Sequence, residues 1–313
     1  MGKSSVVVSK KELNNIEEIK GGENLFRKYC ENNIKKRKRI NLIIKSLLFL
    51  CATFGILMLA ILILSIFKDG LKFLSIDFLT NSASRIASRA GVLPAIVGSL
   101  SVIVFTALIV FPIGIGAAIY IEEYMKPGRL KEIVELNIAN LAGVPAIVYG
   151  IVSLAIFVQF MQLGRGILTG ALTLAILILP TIVITSKEAL KNVPNSLREG
   201  SYALGVTKWQ SIIGVVLPFA IPDILTGTIL SISRALGESS PLIMVGAASY
   251  VTFLPEGLFS SYTTLPLQIY NWTSRPQPDF QNLAASGIIV LLVVLLGMNA
   301  IAIILRNKYE KKI

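Results

Sequence analysis

The sequence predicts an all-α membrane protein of about six transmembrane helices, and three observations predict it. Hydrophobic residues fill 54% of the 313 positions and charged residues only 15%, against roughly 25% charged in ordinary soluble domains. The apolar residues come in blocks near the roughly 20 helical residues that a bilayer core of about 30 Å requires. Short polar stretches holding most of the Lys and Arg separate those blocks, as loops separate membrane helices. The length would allow two soluble domains, but no soluble fold hides this much apolar surface.

Six stretches qualify as spans: Ser46–Phe67, Pro94–Ile121, Ile138–Gln162, Ile167–Ser186, Phe219–Ala248 and Ala284–Leu305. Of the 30 Lys and Arg, 23 fall in the segments up to Lys45, around Lys126 to Lys131, from Lys187 to Lys208, and from Arg306 onward. Six fall on the other side: Lys68, Lys72, Arg85, Arg89, Arg165 and Arg275. Cytoplasmic loops keep the excess of positive charge, so six crossings with both termini cytoplasmic are expected in a plasma membrane. The resulting organisation is a basic tail over 1–45, a first helix over 46–67, an extracytoplasmic loop over 68–93, a compact unit over 94–305 and a short tail over 306–313. The N-terminal segment is too long and too charged for a signal-peptide n-region, so it is expected to stay uncleaved.

Composition weakens several functional classes. The chain has no histidine, which removes the commonest general base and metal ligand. Its two cysteines, Cys30 and Cys51, lie in the basic tail and in an apolar run. They form no CxxC motif and are expected to be reduced thiols. Neither a metal nor another cofactor is expected. The run Lys35-Lys36-Arg37-Lys38-Arg39 would suggest nucleic acid in a soluble protein. Before a span it reads instead as retained cytoplasmic charge that touches anionic membrane lipid, so no nucleic-acid partner is expected.

Glycine and proline punctuate the spans at Pro112, Gly114, Gly116, Gly143, Pro145, Gly150 and Pro180. They allow close helix packing, or kinks that open a transport pathway. Gly166 and Gly170 form a GxxxG pattern that signals close helix contact. The segment from Tyr250 to Leu283, with Pro255, Pro266, Pro276 and Pro278 among aromatic residues, is expected to be ordered at the membrane interface.

Two stretches carry mechanism. Between the fourth and fifth spans, Leu197, Tyr202 and Leu204 alternate with Arg198 and Glu199, as in a short helix lying across a membrane surface. Gly205 would cap that helix, and Trp209 would be an interfacial anchor. Within the fifth span, Arg234 and Glu238 are four apart, so on one helix they share a face and can pair. Charges at membrane depth cost enough to be functional candidates. Arg234 either forms a structural ion pair or receives an anion, with Glu238 holding it between events. Ser239 and Ser240 either add hydroxyl hydrogen bonds there or bond back to helix carbonyls.

Glu199-Gly200-Ser201, three residues, Gly205, nine residues and Val215-Val216-Leu217-Pro218 resemble the EAA loop of ABC-importer permeases. That loop is written E-A-A, three residues, G, nine residues, I-x-L-P. Gly200 and Ser201 depart from the two alanines, and Val215 stands for the isoleucine. The resemblance implies a type I (MetI-like) permease fold, with an ABC transmembrane type-1 domain over 94–305 and a coupling loop near 187–218. In such permeases this loop forms coupling helices that dock into a groove of an ATP-binding subunit. By that resemblance Glu199, Gly200, Ser201, Gly205, Leu217 and Pro218 carry the coupling. The chain contains no G-x-x-x-x-G-K-[ST] phosphate loop, so the energy is expected from a separate ATPase and the chain itself is expected to be no enzyme.

Arg234-Ala235-Leu236-Gly237-Glu238-Ser239-Ser240-Pro241-Leu242 resembles the R-A-L-G-E-T-A-P-L segment of phosphate-specific permeases of the PstA type, and Val144-Pro145-Ala146-Ile147-Val148-Tyr149-Gly150 is similar to another of their stretches. The resemblance implies translocation of inorganic phosphate, with Arg234, Glu238, Ser239 and Ser240 as contact candidates. It also implies a sister permease PstC, a PstB ATPase dimer and an extracytoplasmic phosphate-binding protein as partners. A guanidinium fork suits phosphate oxygens. A secondary transporter or channel for a small anion is the alternative, since kinked spans with one buried ion pair suit it too. A membrane-embedded enzyme is more distant, because no nucleophile with its base and no metal cluster accompanies the intramembrane charges.

Overall fold

Glycine and proline decide where the apolar stretches stop being single helices. A computed structural model describes the backbone of residues 10–247 and 250–310, and the side chains among these apart from residues 10–36, 305 and 308–310. Cys30, Lys35 and Lys36 of the basic tail, Ala248 at the end of the fifth expected span, and the last lysines fall outside the described side chains. The chain divides into two compact units, Met1–Ser65 and Ile66–Ile313. Helix α1 (Lys10–Gly70) contains the first expected span, and Cys51 on it is an exposed free thiol.

In the second unit the described residues form helices joined by turns. A one-turn helix α2 (Ile76–Thr80), capped by Ser75, precedes α3 (Leu93–Ile119), which continues through a π-helical turn at Tyr120–Tyr124. Helix α4 (Arg129–Ala142) is followed by α5 (Ala146–Ser153), extended by a second π segment at Leu154–Phe160. Helix α6 (Ile167–Lys191) leads to α7 (Asn195–Ala203) and α8 (Lys208–Ser211). A third π turn, Ile212–Val216, joins α8 to α9 (Leu217–Leu236). The short α10 (Ser240–Met244), α11 (Leu265–Thr273) and the long α12 (Pro278–Glu310) complete the unit.

Five of these stretches are long and apolar enough to cross a membrane: Arg37–Gly70, Leu93–Tyr124, Ile167–Lys191, Lys208–Leu236 and Pro278–Ile304. The expected third span, Ile138–Gln162, is not one straight helix. Its first part belongs to α4 and its remainder to α5 and the π segment, and the two halves meet at 99°. The cause is local. Pro145 offers no N–H and disfavours helical geometry at Val144, and the proline sits extended at φ −57°, ψ 136° as the residue before α5. The expected fifth span is also displaced, starting earlier at Lys208 and ending at Leu236 rather than Ala248. Gly237 closes that helix, and Pro241 forces a fresh start in α10.

Helices α3, α6 and α9 pack together, with Val102, Ile103, Val110, Leu174, Ile178, Ile182 and Ala235 buried between them. Gly114 permits the approach, since a Cβ there would lie 2.7 Å from Ile182 Cγ2. Residues 68–93 pack into this unit. Phe78, Ala90 and Val92 are buried in one cluster with Leu265, Trp272 and Phe280, and the Phe78 and Trp272 rings lie 5.8 Å apart.

The expected helix contact at Gly166 and Gly170 is a different contact. A Cβ at Gly166 would meet the Phe259 backbone and one at Gly170 the Tyr262 ring, so the pattern receives a non-helical segment rather than a helix. Leu168 N–H donates to Leu258 O at 2.8 Å, and Leu265 N–H donates to Ser99 Oγ at 2.7 Å on α3. The chain before α11 is thereby wedged between α3 and α6. Burial pushes the Tyr262 phenol well above its ordinary range.

Candidate functional site

The residues singled out by sequence gather at two places. The first is the turn from α6 to α8. Helix α7 ends at Ala203, and Gly205 takes φ +80° while its N–H donates to Tyr202 O at 2.9 Å. This is the left-handed cap for which glycine carries no steric cost. Thr207 and Gln210 then form a reciprocal capping box that starts α8. A Cβ at Gly200 would meet nothing within 4 Å, so the small residue there answers to no neighbour within the chain. Ser201 is buried, donating to Arg198 O at 2.7 Å and sharing a hydrogen bond with Ser211 Oγ.

The polarity of α7 is inverted relative to a surface helix. Arg198 and Ser201 point inward, whereas Leu197, Tyr202 and Leu204 face outward with Glu199, and Leu204 is 85% exposed. Trp209 on α8 is 57% exposed beside them. Leu217 and Pro218 are half-buried at the start of α9. Leu217 N–H reaches back five residues to Ile212 O, the bond that closes the π turn just before Pro218.

Sequence reasoning missed what holds this turn. Arg198 donates from Nε and Nη2 to Glu123 Oε1 at 3.1 and 2.8 Å, from Nη2 to Leu190 O at 2.8 Å, and from Nη1 to Val193 O at 2.6 Å and Asn195 Oδ1 at 3.3 Å. Lys208 adds a bond to Glu123 O and lies 5.0 Å from the centre of the Tyr124 ring. Neighbouring Glu122 pairs with Lys131 at 3.2 Å, and Glu135 pairs with Lys187 at 3.2 Å. Adjacent acidic residues beside a basic segment are the only trace of this in the sequence.

The second place is the end of α9. Arg234 lies in the last turn and Glu238 beyond the helix, so the four-residue spacing no longer puts them on one face. No ion pair joins them among the described residues. Glu238 instead accepts from Ser240 Oγ at 3.0 Å. Ser239 precedes α10 without a side-chain capping bond. Arg234 lines a small cleft with Ala142, Val144 and Tyr149 from the 99° bend, Thr181 from α6, and Ser231 one turn back on α9. Tyr149 donates to Leu141 O at 2.7 Å and so ties α5 across the bend to α4.

The two stretches that resemble phosphate permeases are packed against each other. A Cβ at Gly150 would lie 2.7 Å from Pro241 Cα and 2.8 Å from Met244 Cβ, so α5 and α10 meet backbone to backbone. Among the described residues no group of His, Cys, Asp and Glu forms a metal site.

Crossing helices broken at a small charged cleft, with an outward apolar face on a short helix at one end, define a multi-pass membrane permease. The chain belongs to the family described as the binding-protein-dependent transport system inner membrane component, which matches residues 110–313. It is 31% identical over 276 residues to the probable ABC transporter permease protein YqgI of Bacillus subtilis, covering 84% of this chain and 94% of that protein. It is 31% identical over 263 residues to the phosphate transport system permease protein PstA of Haemophilus influenzae, covering 84% and 92%. A bacterial alginate ABC transporter solved with a pentasaccharide-bound periplasmic protein has the same fold, at TM-score 0.61 and 16% identity over 85% of this chain and 94% of that one.

Proposed function

We propose that this chain is the permease subunit through which an ATP-driven importer carries inorganic phosphate across the plasma membrane, with Arg234 as a phosphate contact. The observation that carries the reading is the cleft: Arg234 has no carboxylate partner within ion-pair distance among the described residues, and it sits where α5, α6 and α9 meet at a broken helix. Phosphate carries between one and two negative charges at neutral pH, and its oxygens match the guanidinium fork. A single arginine in a small cleft suits transient binding, as conduction needs entry and release alike. Similarity to PstA-type permeases supports phosphate as the anion.

Energy comes from outside the chain in this reading. The apolar face of α7 and the exposed Trp209 and Leu204 form the surface on which a PstB-type ATPase docks, with Glu199 and Gly205 setting its shape. A PstC-type sister permease and an extracytoplasmic phosphate-binding protein complete the importer. The α7 end of the bundle and both termini then face the cytoplasm. A secondary transporter for a small anion has no use for such a surface. The test is phosphate uptake by the assembled complex in proteoliposomes loaded with ATP. Uptake that needs ATP and is displaced by arsenate but not by sulfate supports the proposal, whereas ATP-independent phosphate flux through this chain alone refutes it.

A further inference from the structure

We propose that Glu123 and Arg198 form the rigid linkage by which α7 moves α3 and α6. The inference rests on the coupling role of the α7 turn, and it names the residues that pass the movement into the bundle.

A guanidinium has five N–H donors, and Arg198 uses all five within the chain. Two go to a single oxygen of Glu123 at the π-helical end of α3. Two go to the carbonyls of Leu190 and Val193, where α6 ends, and one goes to Asn195, at the first position of α7. One side chain therefore joins the ends of two spans to the short helix that carries it. The joint is dry: the Arg198 side chain is 15% exposed and that of Glu123 only 6%. Charge-assisted bonds in such a place are short and directional, and the carbonyls of Leu190 and Val193 lie where a helix end carries partial negative charge. Lys208, on the far side of Gly205, reaches the backbone carbonyl of the same Glu123. Both arms of the turn are thus fastened to the end of α3.

The geometry has a mechanical consequence. A push on the exposed face of α7 cannot be absorbed by pivoting around Arg198, because displacing α7 alone breaks bonds to α3 and α6 together. The three elements travel as one body, and α6 carries Thr181 of the Arg234 cleft. Saturation of all five donors also excludes Arg198 as a phosphate ligand, so it is a positioning residue.

The experiment uses the assembled complex in proteoliposomes and reads phosphate taken up per ATP hydrolysed. Arg198→Lys keeps the charge but offers three donors in a different geometry, and Glu123→Gln keeps the shape without the charge; each is expected to lower the ratio about tenfold with the complex still assembled. The pair Glu123→Cys and Arg198→Cys, made with Cys30 and Cys51 replaced by Ser, is expected to be equally uncoupled when reduced and to recover when a short bifunctional thiol reagent bridges the two positions. A merely structural role would lower the yield of complex and leave the ratio per complex unchanged, and that result overturns the linkage. So does a bridge that fails to restore coupling. Glu199→Ala serves as the reference: if it uncouples while the linkage variants do not, only the linkage is wrong, and if neither uncouples, the coupling role of the whole turn falls and the linkage with it.

Discussion

At the scale of single residues, the separation of Arg234 from Glu238 changes what a substitution at Arg234 should do. Had the two formed an ion pair, Arg234→Gln would strand a carboxylate at membrane depth and lower the amount of assembled complex. Glu238 keeps its bond from Ser240 instead, so Arg234→Gln should assemble normally. Its phosphate uptake per assembled complex should fall by about one to two orders of magnitude, the equivalent of losing a charge-assisted bond worth about 1.5–3 kcal/mol. Adding Glu238→Gln should not restore uptake, because two amides offer the anion no charge. Arg234→Lys should rescue in part, since a point charge lacks the fork. Near-normal uptake by the double-glutamine variant would remove Arg234 from the pathway. The sequence places both residues in one apolar stretch, and the four-residue spacing then predicts a shared face. That expectation fails because Gly237 and Pro241 end α9 before Glu238 is reached.

At the scale of the element, α7 and its cap separate conformational demands from packing demands. A Cβ on either Gly200 or Gly205 would meet nothing within 4 Å, yet only Gly205 has positive φ, at +80°. Gly205→Ala should therefore strain the cap by about 1 kcal/mol and redirect the chain into α8, lowering phosphate uptake per ATP. Gly200→Ala should raise helix stability by up to about 1 kcal/mol and leave the ratio at its starting value. Equal behaviour of the two variants would mean that the cap's geometry plays no part in coupling. Much of this element is legible in sequence, because Glu199, Gly205 and Pro218 stand at fixed intervals and a cap glycine announces itself locally. The partner of Arg198 is not legible, since Glu123 lies 75 residues away and nothing in its neighbours specifies which cation it meets. The π turns are equally hidden: Ile212–Val216 is as apolar as an ordinary helical turn, and only the register of its bonds differs.

At the scale of the whole molecule, hydropathy counts the spans but cannot see the segment wedged between α3 and α6. Gly98 marks it, because a Cβ there would strike the backbone oxygen of Thr263, whereas one at Gly116 on the same helix meets nothing. Gly98→Ala should cost about 1–3 kcal/mol by overpacking and lower the unfolding temperature in detergent, with Gly116→Ala unchanged; similar temperatures for both would deny the wedge. Topology follows from a second long-range contact. Glu123 at the end of α3 touches Arg198 just after α6, so the ends of these two helices lie together. In the proposed topology α6 crosses the membrane, so its start at Ile167 lies on the opposite side from its end. In that reading the chain between Tyr124 and Ile167 changes sides, and we propose the bent pair of α4 and α5 as a sixth crossing rather than a re-entrant loop. The 23 Lys and Arg of the expected inner segments agree with that arrangement. With Cys30 and Cys51 replaced by Ser, a cysteine at Gly164 should therefore react with an impermeant thiol reagent added outside intact cells. A cysteine at Lys126 or Gly205, or a tag placed after Ile313, should react only after the membrane is opened. Labelling of Gly164→Cys and Lys126→Cys from the same side would leave five crossings, break the charge pattern, and place the α7 surface beyond the reach of any cytoplasmic ATPase.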